Sequence, residues 1–193
     1  MNLRRSLPWA LVWLRLSLAP VILVLAWLWP IPAAFGACIV LAFFSDVFDG
    51  VLARRWGGAT PLLRRLDSLV DTAFCLAALG AAWLCQPRLL WNVRFLLAAL
   101  LALEVLRYVV DLAKFGREAS YHMWSAKLWA VLLYLAFFMV LVVGQGGAWV
   151  TTALFLGIVS DLEGLAVSWL LPEWRHDVPT LLHAWRLRQE NAP

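Results

Sequence analysis

The chain has 193 residues, of which 64% are hydrophobic and 15% are charged. A soluble globular domain is usually about half apolar, so this composition indicates an integral membrane protein and excludes an ordinary water-soluble enzyme. The net charge of +4 is small and does not favour a nucleic-acid partner.

Six segments of the chain are long and apolar enough to cross a bilayer, which takes about 20 residues in a helix. Lipid offers no hydrogen bonds, so a spanning backbone must satisfy its own by forming helices. The segments are residues 8–29, 33–53, 66–85, 90–112, 125–143 and 149–171. The sequence therefore predicts an all-α integral membrane protein, with a six-transmembrane-helix bundle in residues 1–171 and a cytoplasmic tail in residues 172–193.

Positive charges concentrate on one side of the predicted membrane. That side carries Arg4, Arg5, Arg54, Arg55, Arg64, Arg65, Lys114, Arg117, Arg175, Arg186 and Arg188. The other side carries little besides Arg88 and Arg94. Loops rich in Lys and Arg stay in the cytoplasm. We therefore expect a protein of the cell (inner) membrane whose termini, and whose loop between the second and third spans, face the cytoplasm.

Four aspartates stand beside that loop, and we call them the carboxylate quartet: Asp46, Asp49, Asp67 and Asp71. The first two are three residues apart and the last two are four apart, so each pair shares one helix face. Four carboxylates brought together would repel one another unless cations neutralise them. Oxygen ligands without Cys or His select a hard divalent ion, so we expect Mg²⁺, with Mn²⁺ or Ca²⁺ as alternatives.

A structural alternative assigns the quartet to helix ends, paired with the loop arginines as solvated charges. Acids at matched positions on two neighbouring spans favour the metal site instead, because ionisable residues within a membrane are functional by default. Gly50 and Ala53 lie beside the acids, and their small size would let a phosphate or a neighbouring helix come close.

The chain resembles the CDP-alcohol phosphatidyltransferase family in the motif Asp46-x-x-Asp49-Gly50-x-x-Ala53-Arg54, followed by Asp67-x-x-x-Asp71. Seven of the eight characteristic positions are present, and the eighth, a glycine in the family, is Leu63 here. Pro8 and Arg15 also stand as in the first helix of that family.

The resemblance implies transfer of a phosphatidyl group from a CDP-linked lipid donor, such as CDP-diacylglycerol, to an alcohol acceptor, with release of CMP, in phospholipid biosynthesis. It implies that Asp46, Asp49 and Asp67 are metal ligands and that Asp71 is a ligand or the catalytic base. By the same resemblance Gly50, Ala53 and Arg54 would line the nucleotide site, and the protein would be a homodimer.

A second polar layer lies within the later spans and consists of Glu104, Arg107, Lys127, Asp161 and Glu163. Charges in hydrocarbon are costly, so these should face the bundle interior or a wet cavity. Arg107 and Lys127 are candidates to bind a phosphate of the donor or of the acceptor. The alternative is that Arg107 forms a buried ion pair with Asp161 or Glu163.

Two other functions stay open. A cation-coupled transporter would use the aspartates to bind its coupling ion, although the related halves and broken helices usual in transporters are not evident in the sequence. A noncatalytic relative that binds lipid or nucleotide is suggested by Leu63. The alcohol acceptor cannot be named, but the basic residues of the second polar layer favour a phosphorylated one.

Overall fold

The computed structural model describes residues 3–55, 60–117, 121, 123–175 and 178–190. Within these ranges the chain is helical apart from short connections, and no strand occurs in them, which confirms the all-α prediction. The helices are α1 (Leu3–Leu28), α2 (Pro32–Arg55), α3 (Pro61–Cys85), α4 (Pro87–Asn92), α5 (Arg94–Phe115), α6 (Trp124–Phe138), α7 (Gly147–Leu170) and α8 (Leu181–Glu190). A π-helical turn, Met139–Val143, continues α6.

In the part of the chain that the structure describes, five helical segments are long and apolar enough to cross a membrane. They are Ser6–Leu28, Pro32–Leu52, Arg65–Cys85, Trp124–Val143 and Gly147–Leu170, each within two residues of a predicted span at either end. The remaining prediction, residues 90–112, falls on α4 and α5, which are separated at Val93. The 22-residue α5 carries five charged residues, so its composition does not identify it as a span.

The chain divides into two compact units. The first comprises residues 1–90 and 137–146, and the second comprises residues 91–136 and 147–193. The division at residue 171 between the helical bundle and the C-terminal tail stays a prediction.

In the first unit, α1 packs against both α2 and α3. The buried face of α1 includes Val12, Arg15, Ala19 and Ile22, which recur at the three- and four-residue spacing of one helix face. The facing surface of α3 is rich in small residues, with Ala77, Ala78, Ala81 and Ala82 buried. Small side chains let spanning helices approach closely, so α3 lies near enough to α1 for polar groups on the two helices to meet.

In the second unit, α7 packs against α5 and α8. Its buried face includes Gly157, Ser160, Asp161 and Gly164. A Cβ atom at Gly157 would lie 2.7 Å from the indole nitrogen of Trp129, so this position has no room for a side chain. The buried face of α7 therefore combines glycine and polar residues in its middle with apolar residues such as Leu154 and Val167 towards its ends.

Candidate metal centre and active site

Two helices of the first unit carry the carboxylate quartet. Asp46 and Asp49 lie in the second half of α2. The start of α3 is fixed by Thr60, whose hydroxyl accepts a hydrogen bond from the backbone N–H of Leu63 at 3.2 Å. Such an N-cap sets where the first turn begins. It thereby determines which face of α3 presents Asp67 and Asp71.

Three of the four aspartates converge as predicted. One carboxylate oxygen from each of Asp46, Asp49 and Asp67 lies within 4.8 Å of the other two. Opposite ligands of an octahedral Mg²⁺ are about 4.2 Å apart, and those of Ca²⁺ about 4.6–5.2 Å apart. The oxygen-only donor set and its spacing therefore fit a hard divalent cation, held by Asp46, Asp49 and Asp67. Their role as metal ligands stays a prediction.

Access to the quartet differs among its members. Asp49 is buried. The side chains of Asp46, Asp67 and Asp71 are 36%, 33% and 39% exposed. Three of the carboxylates are thus accessible from outside the unit, and the fourth, Asp49, is not.

Arg15 of α1 lies at the centre of the quartet and is fully buried. Its Nη1 atom is 2.8 Å from an oxygen of Asp46, 3.2 Å from one of Asp67 and 3.8 Å from one of Asp71. Its Nη2 atom donates to Asp49. The cluster therefore contains four carboxylates, which are formally negative, and one positive guanidinium. This excess of negative charge favours the binding of cations.

The predicted nucleotide-site residues are described only in part. Gly50 follows Asp49 on α2 and is half-buried. The side chains of Ala53 and Arg54 lie outside the described part of the chain, so their predicted roles stay predictions.

Leu63, which replaces the family's glycine, is buried in the first turn of α3. It packs in a small apolar cluster with Val12, Val70, Trp9 and Leu16. A glycine here would leave open space against α1, whereas leucine fills it. The space between α1 and the start of α3 is consequently narrower than a glycine would make it.

The second polar layer belongs to the second unit, and its two basic residues, Arg107 and Lys127, make different kinds of contact. Arg107 donates to Glu104 at 3.1 Å, and its Nε atom lies 3.5 Å from an oxygen of Asp161. This is the ion pair of the structural alternative. Lys127 is exposed, with its ammonium 4.6 Å from the ring centre of Trp124. Binding of a phosphate by Arg107 or Lys127 stays a prediction.

The second unit contains a chain of buried hydrogen bonds that the sequence does not predict. Ser168 donates to Asp111 at 2.5 Å, so the hydroxyl of Tyr121, 2.9 Å from the Ser168 oxygen, donates to it in turn. Burial raises the pKa of the Tyr121 hydroxyl, which keeps it protonated as this chain requires. Asp111 and Ser168 lie on different helices far apart in sequence, and no local spacing links them.

The sequence pattern identifies Arg15 only as a position of the family's first helix, not as a partner of the aspartates. The signal was present, because an arginine in the middle of a spanning segment must find anionic partners. Only the packing of α1 against α2 and α3 reveals which acids those are.

Comparison with known proteins gives one result. No curated protein and no solved structure matches this chain. The family model described as CDP-alcohol phosphatidyltransferase matches residues 5–159, which is more than half of the chain and includes Arg15 and the whole quartet. The chain therefore belongs to the CDP-alcohol phosphatidyltransferase family.

Proposed function

We propose that this membrane protein transfers a phosphatidyl group from a CDP-linked lipid donor, such as CDP-diacylglycerol, to an alcohol acceptor and releases CMP. Membership of the family implies the reaction class. The observation that carries the proposal is the meeting of three aspartate oxygens within 4.8 Å, in the segment that the family model covers.

The side chains of the quartet have separable roles in this reaction. Asp46, Asp49 and Asp67 would hold the divalent cation, which when bound neutralises charge on the phosphoryl and leaving oxygens. The acceptor oxygen forms a bond to the phosphorus that carries the diacylglycerol, and the bond from that phosphorus to CMP breaks. Asp71, one turn beyond Asp67 on α3, takes the proton of the acceptor hydroxyl.

The direct test uses the purified protein with CDP-diacylglycerol, Mg²⁺ and a pool of alcohols, with products identified by mass spectrometry. We expect CMP and a new phospholipid in equal amounts, and their loss with Asp71→Asn. Glu173→Gln, which removes an exposed carboxylate from the tail, is the matched control and should leave turnover unchanged. The proposal would be contradicted if no acceptor led to CMP release and if the Asp71→Asn protein behaved in every respect as the wild type does. Cation uptake into proteoliposomes without nucleotide would indicate a transporter instead.

We also propose that α5 is the sixth span. Three of its charged residues have partners in the second unit: Arg107 pairs with Asp161, Asp111 accepts from Ser168, and Lys114 donates to the Ser168 carbonyl oxygen at 2.8 Å. Charges satisfied in this way are tolerated in a membrane. Six spans would place both termini and the quartet on the cytoplasmic side of the inner membrane.

Protease-sensitive tags at the two termini test this topology. Six spans predict that both tags are digested in inverted vesicles and both are protected in intact spheroplasts. Opposite behaviour of the two tags would indicate five spans and contradict the proposal.

A homodimer, implied by the family resemblance, is part of the same proposal. Native mass spectrometry of the protein released from detergent should give twice the chain mass of 21.7 kDa. A single chain mass in mild detergents and in lipid nanodiscs would contradict it.

A noncatalytic relative is the second candidate, because Leu63 stands where the family has a glycine and its side chain fills space against α1. In that case the protein would bind divalent cations and a cytidine nucleotide without releasing CMP. Equilibrium binding of CDP measured beside turnover separates the two, because only the enzyme converts the donor that it binds.

A further inference from the structure

Burial of the charged Arg15 side chain is energetically unfavourable for the first unit. This side chain is fully buried within a spanning segment, and a guanidinium does not lose its proton in proteins. Burying such a charge is unfavourable unless anionic partners surround it closely. Arg15 therefore has to hold carboxylates, and its position on the buried face of α1 aims it at α2 and α3.

One guanidinium reaches every member of the quartet. Nη1 contacts Asp46, Asp67 and Asp71, while Nη2 contacts Asp49. The Nε atom donates to Ser45 at 3.3 Å, which fixes the orientation of the planar group. A single side chain thus joins α2 and α3 through their acids.

A divalent cation needs the same carboxylates. Coordination requires an oxygen from each ligand at about 2.0–2.6 Å from the ion. Arg15 already contacts one oxygen of each aspartate, and two positive groups a few ångströms apart repel each other. A cation on the same oxygens would displace the guanidinium, and a cation on the other oxygens would lie close to its positive charge, so in both cases the two oppose each other.

We propose that Arg15 is an internal counter-cation of the carboxylate quartet, which holds the four side chains together and competes with the divalent cation for them. This inference rests on the metal site of the proposed function. It predicts that entry of the metal loosens Arg15 from the quartet. It also predicts that removing the charge of Arg15 strengthens metal binding, whereas loss of a merely structural residue would weaken or not change it.

Metal affinity is the measurement that separates these roles. Binding of Mn²⁺ to the full chain in detergent is followed by electron paramagnetic resonance for the wild type, Arg15→Gln and Arg15→Lys. Arg94→Gln is the matched control, because Arg94 contacts the Trp91 carbonyl and two aromatic rings rather than the quartet.

The expected changes follow from charge. Removing a positive charge a few ångströms from the ion should tighten Mn²⁺ binding at least ~10-fold in Arg15→Gln. Arg15→Lys keeps the charge, so its affinity should stay within about threefold of the wild type despite the lost fork of donors. Arg94→Gln should bind as the wild type does. Equal or weaker binding by Arg15→Gln would overturn the inference.

A measurement on the wild type guards against a variant that fails to fold. The Nε–H group of Arg15 gives a nitrogen–proton NMR signal, assigned in the wild type through its contact with Ser45. Adding Mg²⁺ should move this signal along the same titration curve as metal binding. A signal that stays in place while Mg²⁺ binds would also overturn the inference.

The same data distinguish failure of this inference from failure of the proposed function. Binding of Mn²⁺ by the wild type with no gain in Arg15→Gln would overturn the role of Arg15 and leave the enzyme proposal standing. Binding by Arg15→Gln alone would support the role of Arg15, but would contradict a metal-dependent reaction in the wild type.

Discussion

Both units of this protein place arginine and carboxylates within helices of a membrane protein, yet they balance the charges differently. In the first unit, Arg15 faces four aspartates, three of which are about a third exposed. In the second unit, the second polar layer contains three acidic and two basic residues, and Arg107 pairs with Glu104 and Asp161. An accessible surplus of negative charge can bind cations, whereas matched charges serve to join helices. Charge balance, more than the presence of charge, therefore distinguishes the proposed metal site from the second polar layer.

The largest expected effect comes from reducing the surplus. Asp49→Asn removes one negative charge and one proposed metal ligand from the buried side of the quartet, and we expect CMP release to fall at least ~100-fold. Asp161→Asn makes the same chemical change in the second unit and should leave turnover within about threefold of the wild type. Similar losses in both variants would break the distinction between the two clusters. Initial rates at saturating donor are the measurement.

Shortening Leu63 tests whether its side chain stabilises the first unit at the expense of space for the nucleotide. Leu63→Ala removes a buried side chain from the contact between α1 and α3, which should cost about 3 kcal/mol of unfolding free energy. If this side chain limits space for the nucleotide, the variant should also bind CDP more tightly. Unfolding in mixed micelles and CDP titration report the two effects separately. Lower stability with unchanged CDP affinity would show that Leu63 is only a packing residue.

Breaking the matched charges of the second unit should lower stability rather than alter metal affinity. Arg107→Ala leaves Asp161 buried without its cationic partner and should cost about 3 kcal/mol of unfolding free energy. The double variant Arg107→Ala/Asp161→Ala should recover part of this loss, because no uncompensated charge remains. Changed Mn²⁺ affinity in Arg107→Ala would mean that the two clusters are coupled.

The smallest effect concerns a purely steric feature of the second unit. Gly157→Ala would bring a Cβ atom to 2.7 Å from the Trp129 nitrogen and 2.8 Å from a methyl carbon of Leu100, so one of them must move. We expect a loss of about 1–2 kcal/mol in unfolding free energy. Gly147→Ala, where a Cβ atom would meet nothing within 4 Å, is the control and should be close to neutral. Equal stabilities would mean that the helices move apart at little cost.

Much of the fold follows from the sequence because lipid imposes a simple rule. Five apolar runs became spanning-length helices within two residues of their predicted ends. The spacing of Asp46 and Asp49 placed them on one face, and their meeting with Asp67 followed from the short connection between α2 and α3. These features depend on local periodicity and on neighbours in the chain.

The features that sequence reasoning missed depend on packing between distant segments. Arg15 meets Asp46, 31 residues away, and Ser168 meets Asp111, 57 residues away. The break at Val93 has no glycine or proline to mark it. Helix periodicity tells which residues share a face, but not which face of another helix lies opposite.

The cap at Thr60 has a consequence for how this chain tolerates insertions. Each residue added to a helix rotates everything after it by about 100°. One extra residue between Thr60 and Asp67 would swing both α3 acids away from Arg15 or carry the cap out of register, whereas a residue added ahead of Thr60 only lengthens a connection. The number of residues between Thr60 and Asp67 therefore cannot change without moving the α3 acids.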